Sequence, residues 1–326
     1  MAGDCQRLGP PLGDRLFLSV VLIAMGAGWG LCIPLAKVAV STGYGPLGLI
    51  FWQVAIVAGL MLGFNALRGR RFPSLRRAWG LLIAVAMLGA VLPDVAYYTA
   101  AQHLPGGVLS IVISSVPIFA FPLALLLGND RFRAIRLLGL LFGFGGILLL
   151  LGPQAGLPQG VALLFVPVAL IAPFCYASEV NVVARFGTYG LDPIQVLAAA
   201  SVLAMAVTLP LALVSGQWIN PLPPYGIADL ALVANSTVHA AVYATYVWLT
   251  GRAGSVFTAQ VSYLVTGFGV LWSMALLQES YSSTLWASLA LMVAGIFLVQ
   301  PKPAIPLAPT TAMKDDASDG TGHRQS

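Results

Sequence analysis

Long apolar stretches separated by short polar breaks make up most of this chain. Each stretch is about 20 residues long, the length that an α-helix needs to cross the hydrocarbon core of a bilayer. The pattern predicts ten membrane-spanning helices, at Leu16–Val40, Gly45–Leu67, Trp79–Ala101, Gly106–Leu127, Leu137–Leu151, Gly160–Ala184, Pro193–Ser215, Ile227–Thr250, Ser255–Leu277 and Thr284–Val299. Because the connections are short, we expect no soluble domain between the spans. The predicted fold class is therefore an all-α integral membrane protein.

The positive charges predict how these helices are oriented. Lys and Arg residues lie only in alternate gaps between the apolar stretches, apart from Lys37 near the far end of the first stretch. The segments that carry them are residues 7–15, 68–77, 131–136, 185, 252 and 302–324. Loops on the cytoplasmic side of a membrane are enriched in Lys and Arg. We therefore expect both termini in the cytoplasm and a multi-pass protein of the cell inner (plasma) membrane.

The amino-acid composition agrees with this topology. Apolar residues account for 59% of the chain and charged residues for 8%, against about 25% charged residues in soluble domains. The net charge of +5 then belongs to cytoplasmic loops, and it gives no reason to expect a nucleic-acid partner. Residues 1–15 are predicted to form a cytoplasmic N-terminus. Residues 301–326 have no apolar period, and we expect a disordered cytoplasmic tail there.

The second half of the chain repeats features of the first half. After a shift of 149 residues three landmarks superpose: Glu279 on Asp130, residues 294–296 on residues 145–147, and Arg185 within one residue of Lys37. Each half then holds five helices, and because five is odd the second half enters the membrane the opposite way up. Inverted repeats are common in transporters, whose binding site lies at the repeat interface. Chance similarity between apolar helices is the alternative explanation of the alignment.

Short motifs accompany this repeat in both halves. They are Gly28-Trp29-Gly30 followed by Pro34 and Lys37, Ser115-Val116-Pro117, the run from Leu127 to Arg131, the glycines at 139, 143, 145 and 146, and Leu277-Gln278-Glu279. Together they resemble the drug/metabolite transporter (DMT) superfamily, in its EamA family, over nearly the whole chain. The chain departs from the family pattern at Asp130, where the family usually has Glu, and at Thr266, the counterpart of Pro117.

The resemblance implies two EamA-like repeats, at residues 16–151 and 160–300, arranged as two inverted five-helix repeats. It also implies a secondary transporter that moves a small organic metabolite by alternating access. We expect export, with import left open because alternating access is reversible. The resemblance implies neither a cofactor nor an enzymatic activity.

Three ionisable side chains lie inside predicted spans: Asp94, Glu179 and His239. A charged group at the centre of a bilayer costs about 2.5–3.5 kcal/mol on insertion scales, so each of them needs an explanation. Helical spacing puts further polar side chains on the same faces: Tyr97, Tyr98 and Gln102 with Asp94, Tyr176 with Glu179, Asn235, Tyr243 and Tyr246 with His239, and Gln260 with Tyr263.

We interpret most of these side chains as a pathway for substrate and protons, in which one carboxylate carries a proton. The predicted pathway residues are Asp94, Glu179, His239, Tyr97, Tyr98, Asn235, Tyr243, Gln260, Tyr263 and Trp29. The alternative interpretation is that they form interhelical hydrogen bonds and only hold the bundle together.

Prolines and basic residues near the span ends are candidate hinges and gates. Pro34 and Pro117 lie inside spans, where proline removes a backbone hydrogen bond and permits a kink. Lys37 and Arg185 are predicted at opposite faces of the membrane, where they gate the pathway or reach lipid phosphates. We expect the glycines at 139–146 to be close helix contacts and not a nucleotide-binding loop, because no strand–turn–helix pattern surrounds them.

The expected substrate is a small neutral or zwitterionic metabolite such as an amino acid, and a cationic drug or polyamine is the second class. No Walker motif is present, so we expect coupling to protons or to the substrate's own gradient. A non-transporting scaffold and an intramembrane enzyme are the alternatives of another class, although no His-Glu-x-x-His or Gly-x-Ser-x-Gly motif occurs. Other expected partners are the lipid bilayer and, if the protein is not a monomer, a second copy of the chain. We expect no metal site.

Overall fold

The computed structural model of the protein describes residues 12–129, 131–152, 159–253, 257–258 and 260–299. These residues form helices and connecting turns, with no β-strand among them. The α-helices are α1 Leu12–Ala39, α2 Pro46–Leu67, α3 Trp79–Ala86, α4 Leu92–Ala101, α5 Gly106–Ile113, α6 Val116–Leu126, α7 Ala134–Leu151, α8 Gln159–Phe186, α9 Pro193–Val214, α10 Ile227–Ala253, α11 Val261–Leu277 and α12 Ser283–Val299. A 3₁₀ turn, Leu75–Arg77, precedes α3, and a π-helical turn, Met87–Val91, joins α3 to α4.

Eight segments are long and apolar enough to cross a membrane. Two of them combine two helices each: α3 and α4 span Trp79–Ala101, and α5 and α6 span Gly106–Leu126. The helices α11 and α12 are also apolar but are shorter, at 17 residues each. The expectation of an all-α membrane protein is therefore confirmed.

Proline explains why the third and fourth predicted spans are interrupted. A proline has no N–H to donate to the carbonyl four residues before it, and its ring crowds that carbonyl. Pro93 lies in the first turn of α4, directly after the π-helical turn. Pro117 lies in the first turn of α6, after a break at Ser114 and Ser115. The apolar pattern predicted both spans but neither interruption.

Other helix ends differ from the predicted ends by a few residues. The fifth predicted span starts at Leu137, whereas α7 starts at Ala134. The ninth starts at Ser255, whereas α11 starts at Val261, and residues 254–256 lie outside the described part of the chain. Predictions that fall on residues 1–11, on Asp130 and on the tail 301–326 also concern residues outside the described part.

Helix packing brings the two halves of the chain together. The first helix, α1, packs on α10 and α11, and α8 packs on α4 and α6. In addition α2 packs on both α9 and α10, α3 packs on α9, α5 packs on α11, and α7 packs on α12. A large buried cluster of apolar side chains runs through α1 to α10 and α12. The inner faces of helices from both halves therefore share one core.

Glycines permit the closest of these contacts. A Cβ atom added to Gly139 of α7 would lie 2.7 Å from the Gly295 carbonyl oxygen of α12, and the reverse distance is also 2.7 Å. Likewise a Cβ atom on Gly30 of α1 would lie 2.8 Å from the backbone nitrogen of Gly269 on α11. Small residues let transmembrane backbones approach in this way. The expected role of the α7 glycines as helix contacts agrees with this packing at Gly139.

Candidate functional site

A group of hydrogen-bonded polar side chains lies in the middle of the bundle, centred on Asp94 in the first turn of α4. The Asp94 side chain is buried, with 7% of the residue exposed. The Gln53 amide nitrogen, from α2, donates to Asp94 Oδ2 at 2.7 Å. The Tyr176 hydroxyl, from α8, donates to Asp94 Oδ1 at 3.0 Å. Both carboxylate oxygens are therefore bonded, each to a different helix.

The network continues from Gln53 to a fourth helix. The Gln53 carbonyl oxygen accepts a hydrogen bond from the Tyr98 hydroxyl and another from Asn235 Nδ2, on α10, at 3.3 Å. Asn235 Nδ2 also lies 3.4 Å from the Tyr98 hydroxyl oxygen. We call Gln53, Asp94, Tyr98, Tyr176 and Asn235 the central polar cluster. It joins α2, α4, α8 and α10, so it contains helices from both halves of the chain.

Sequence reasoning missed Gln53, which is the hub of this cluster. The polar residues were selected as ionisable groups and as polar stripes, and Gln53 is a single neutral amide in an otherwise apolar span. The signal that could have identified Gln53 was its position inside a predicted membrane span, because an amide inside a membrane also needs hydrogen-bond partners. Tyr176, which was assigned only to the same face as Glu179, is a second direct partner of Asp94.

Glu179 lies one helical turn after Tyr176 on α8 and is half-buried. Its carboxylate packs against the π-helical turn of the third span. A Cβ atom on Gly89 would fall 2.7 Å from Glu179 Oε2 and 2.9 Å from Oε1, so the missing side chain makes room for the carboxylate. Single π-helical turns occur frequently at functional sites. No hydrogen bond joins Glu179 to another described residue.

The predicted aromatic residues lie beside the central polar cluster on α1, α4 and α10. Trp29 of α1 packs against His239 and Tyr246 of α10, with ring centroids 6.2 Å and 5.5 Å apart. The Trp29 indole nitrogen is buried and has no hydrogen-bond partner among the described residues. Tyr97 packs edge-on against Tyr98, at 6.0 Å. The half-buried Tyr243 follows His239 by one turn of α10.

Two predicted pathway residues lie elsewhere, on α11. Gln260 and Tyr263 line an apolar groove of about 1010 Å³ between α11 and α12, together with Trp286 and Phe297. The groove opens to the outside of the bundle, because Trp286 and Phe297 are 43% and 73% exposed. The Tyr263 hydroxyl is buried and has no partner in the described part of the chain. The structure does not join these two residues to the central polar cluster by a hydrogen bond.

The predicted gate residues differ in their contacts. Lys37 Nζ donates to the carbonyl oxygens of Ala101 and Leu104, at 2.8 and 2.6 Å, and so caps the end of α4. Arg185 is exposed near the end of α8 and forms no hydrogen bond or ion pair with described residues. Pro34 is buried inside α1, and Pro117 is half-buried at the start of α6.

An acidic cap lies at the start of α5. Glu279 accepts hydrogen bonds from the backbone nitrogens of Gly106 and Gly107, at 3.0 and 3.3 Å. The Tyr281 hydroxyl donates to the same carboxylate and accepts from Gly107. Burial, and after it the hydrogen bond to Glu279, raise the pKa of Tyr281, which lies outside the spans. A carboxylate at a helix N-terminus stabilises the helix through its unpaired N–H groups and its dipole.

Comparison with known proteins identifies the family. The model of the EamA-like transporter family matches the chain twice, over residues 16–152 and 163–300. The chain is 25% identical over 272 residues to "Uncharacterized inner membrane transporter YedA" of Escherichia coli K12, covering 78% of this chain and 83% of the relative. It is 23% identical over 299 residues to "Uncharacterized transporter YvbV" of Bacillus subtilis strain 168, covering 90% and 93%.

A solved crystal structure is also similar in fold, with a TM-score of 0.59 and 19% identity over 86% of this chain and 96% of the other. At this identity the likeness concerns the fold alone. The two family-model matches cover most of the chain, and the family resemblance found in the sequence motifs is thereby confirmed. The matched family is a family of transporters, and these relatives are also called transporters, so the protein is a membrane transporter and not an enzyme. The chain belongs to the EamA-like transporter family.

Proposed function

We propose that this protein is a secondary transporter that moves a small organic metabolite, an amino acid or a similar molecule, across the cytoplasmic membrane by alternating access. The observation that carries the proposal is the central polar cluster. Its side chains come from helices of both halves of the chain, with Gln53, Asp94 and Tyr98 in the first half and Tyr176 and Asn235 in the second. Transporter sites lie typically where two repeats meet near the bilayer midplane.

The packing of the helices supports ten spans in two inverted repeats of five, at residues 16–151 and 160–300. In such a repeat each contact recurs when both partners are replaced by the spans five places along. The contact of α1 with α10 is matched by that of α8 with α4, and the contact of α1 with α11 by that of α8 with α6. The contact of α2 with α10 is matched in the same way by that of α9 with α3.

The loop contacts support the expected sidedness, with both termini in the cytoplasm. Arg68, after α2, forms an ion pair of 3.1 Å with Asp192, before α9, and both positions belong to predicted cytoplasmic loops. On the predicted outer side, Tyr44 before α2 donates to Asp229, at the start of α10, at 2.9 Å. Each contact joins ends that the charge pattern assigns to the same face of the membrane.

Proton coupling is the coupling that the site favours, with one of the two acids, Asp94 or Glu179, as the proton carrier. Ionisable groups inside transporter spans are typically parts of proton or substrate pathways. The glutamate has no hydrogen bond to a described residue, so a proton or a substrate group can become its partner. Tyr97, Tyr98, Tyr243 and Trp29 would contribute flat apolar surface with polar edges to a small organic molecule.

Metabolite profiling tests the proposal. Cells that express the protein are compared, at equal membrane abundance, with cells that express the Asp94→Asn/Glu179→Gln double variant. Asp229→Asn, which removes a carboxylate at the outer end of α10, is the control. We expect a metabolite that is enriched in the medium with the wild type and with the control but not with the double variant. Equal enrichment with the double variant and the wild type at every pH contradicts the role of the two acids. Wild-type profiles identical to those of cells that do not express the protein contradict export.

A cationic drug or polyamine is the second substrate class. Two acids, Asp94 and Glu179, both lie near Tyr176, and none of the described residues that form the central polar cluster is a Lys or an Arg. This charge balance suits a cation. Efflux of a fluorescent cationic dye from loaded cells is the test, and a rate equal to that of the Asp94→Asn variant eliminates this class.

A further inference from the structure

The hydrogen bonds of the central polar cluster have a direction. An amide nitrogen can only donate, and an amide oxygen can only accept. Asn235 Nδ2 and the Tyr98 hydroxyl both donate to the Gln53 oxygen, which leaves the Gln53 nitrogen to donate to Asp94 Oδ2. In this arrangement Asp94 Oδ2 is held as an acceptor. A proton added to Asp94 therefore binds at Oδ1.

Among the described residues, the hydrogen-bond partner of Asp94 Oδ1 is the Tyr176 hydroxyl of α8, 3.0 Å away. Unlike the Gln53 amide nitrogen, this partner can reverse the direction of its hydrogen bond. A hydroxyl group is both a donor and an acceptor. While Asp94 is ionised, Tyr176 donates to it. When Oδ1 carries a proton, the carboxylic acid donates instead, and the phenolic hydrogen of Tyr176 must turn to another acceptor.

Glu179, which lies on α8 like Tyr176, can serve as this other acceptor. It follows Tyr176 by three residues on α8, so the two side chains share a face. The charge of Glu179 acts on the Tyr176 hydroxyl, and so does the charge of Asp94. Glu179 has no hydrogen bond within the described part of the chain, and Gly89 leaves space for its carboxylate. It is therefore free to accept a new hydrogen bond.

We propose that Tyr176 is a positioning residue that couples the protonation of Asp94 to the hydrogen bonding of Glu179, a coupling that rests on the proposed role of these two acids in transport. One proton from the aqueous side adds to Asp94 Oδ1, the hydrogen bond to Tyr176 reverses, and the phenol keeps its own proton. The Tyr176 hydrogen then points toward Glu179 and stabilises that side chain as a carboxylate. The pair thus favours states in which one acid is protonated and the other is ionised.

Other titratable side chains lie around the pair. Tyr97 and Tyr98 of α4 lie near Asp94, and Cys32 of α1 lies near these two tyrosines. Tyr243 of α10 lies near Glu179, and His239 of α10 packs against Trp29 on α1. Asp192, before α9, is a further carboxylate near Tyr243, whereas Asp94 and Glu179 are the two carboxylates near Tyr176. The protonation of Glu179 is therefore the one that we couple to that of Asp94.

Infrared spectroscopy tests the coupling without knowledge of the substrate. The purified full-length protein in lipid nanodiscs is titrated with acid, and the C=O band of protonated carboxylic acids is followed. Asp94→Asn assigns the Asp94 band by removing it. We expect Glu179→Gln to move the Asp94 titration midpoint by about one pH unit. In the Tyr176→Phe background we expect the same substitution to move it by less than about a third of that amount.

The controls separate the hydroxyl from direct electrostatics. Tyr189→Phe removes an exposed hydroxyl in the loop after α8, and it should leave the effect of Glu179→Gln unchanged. If Tyr176→Phe does not fold, Gly89→Ala provides a second route, because its Cβ atom displaces the Glu179 carboxylate without altering Tyr176. We expect Gly89→Ala to reduce the coupling as well. A coupling of the same size with and without the Tyr176 hydroxyl, or no effect of Glu179→Gln, overturns the proposal.

The infrared experiment tests the coupling and the export experiment tests the transport role, so either proposal can be contradicted without the other. If the coupling is present but the double variant exports normally, the proton-carrying function is wrong and the hydrogen-bond switch remains. If the double variant loses export but Tyr176→Phe keeps the full coupling, the transport role of the acids remains and the role of Tyr176 is wrong.

Discussion

The contact between α7 and α12 gives a prediction whose magnitude follows from two glycines. A Cβ atom on Gly139 would lie 2.7 Å from the Gly295 carbonyl oxygen and 2.7 Å from a methyl group of Val299. Neither distance is tolerated without movement, and the carbonyl oxygen belongs to a helical backbone that cannot move alone. Gly139→Ala therefore has to push α12 away from α7 along the interface.

The matched control lies on the same helix. A Cβ atom on Gly145 of α7 would meet only one atom within 4 Å, a methyl carbon of Leu291 at 3.8 Å, which is an ordinary contact. Overpacking of a tight interface costs about 1–3 kcal/mol, whereas Gly→Ala at an unstrained helical position stabilises by about 0.5–1 kcal/mol. We expect Gly139→Ala to destabilise the protein by about 1–2 kcal/mol and Gly145→Ala to be neutral or stabilising.

Reversible unfolding in mixed micelles, followed by circular dichroism, measures both free energies of unfolding under one condition. The comparison depends on the difference between the two variants, so it is insensitive to the detergent reference state. Two results would refute the reasoning: Gly145→Ala destabilises the protein as much as Gly139→Ala, or Gly139→Ala is as stable as the wild type. Either result would mean that backbone contact does not set the distance between α7 and α12.

Three further predictions concern the ends of the helices. Glu279→Gln removes the charge from the cap on α5, and we expect a loss of about 0.5–2 kcal/mol in the free energy of unfolding. Tyr189→Phe, which removes an exposed loop hydroxyl, should change this free energy by less than about 0.5 kcal/mol. Because the pKa of Tyr281 is raised in the folded protein, the neutral hydroxyl stabilises the folded state. This contribution to the free energy of unfolding is complete below a pH of about 10 and is lost as the pH rises further. Melting temperatures should therefore fall less steeply above that pH in Tyr281→Phe than in the wild type, and parallel curves would contradict the assignment. Lys37→Met leaves two carbonyl oxygens at the end of α4 without their donor, for an expected cost of about 1–3 kcal/mol; Lys37→Arg should recover part of it in the same unfolding assay, and full stability of Lys37→Met would contradict the cap.

The hydrophobic pattern was enough to predict the eight segments that are long and apolar enough to cross a membrane, because the bilayer sets the length and the apolarity of such segments. The third span illustrates this, since its predicted ends, Trp79 and Ala101, are the observed ends. The π-helical turn inside it could not be predicted in the same way. Pro93 marks a break in the hydrogen-bond ladder, but whether the helix kinks, stops or widens depends on what packs against it. Here Glu179 of α8 packs against the widened turn at Gly89.

The sequence predicts which side chains of the candidate site share a face of one helix, but not which faces of different helices meet. Asp94 and Tyr98 share a face of α4, and Asn235 lies on the polar face of α10. These three side chains are joined in the central polar cluster, Tyr98 and Asn235 directly and Asp94 through Gln53. Gln260 and Tyr263 form a comparable stripe on α11 but face the groove beside α12. A stripe indicates which side chains share a face, whereas the rotation of the helix, set by packing with its neighbours, decides what that face meets.

The hydrogen bonds also separate the polar residues that hold the fold from those that can exchange partners. Lys37 and Glu279 form hydrogen bonds with backbone groups at helix ends. A movement of either side chain would therefore leave backbone polar groups unpaired inside or near the membrane. Such a loss is costly, which favours a structural role for Lys37 over a gate. The indole nitrogen of Trp29, in contrast, is buried without a hydrogen-bond partner among the described residues, and no hydrogen bond joins Glu179 to a described residue. A ligand can hydrogen-bond to either group without breaking a hydrogen bond within the protein, and for this reason we propose that the substrate contacts these two residues.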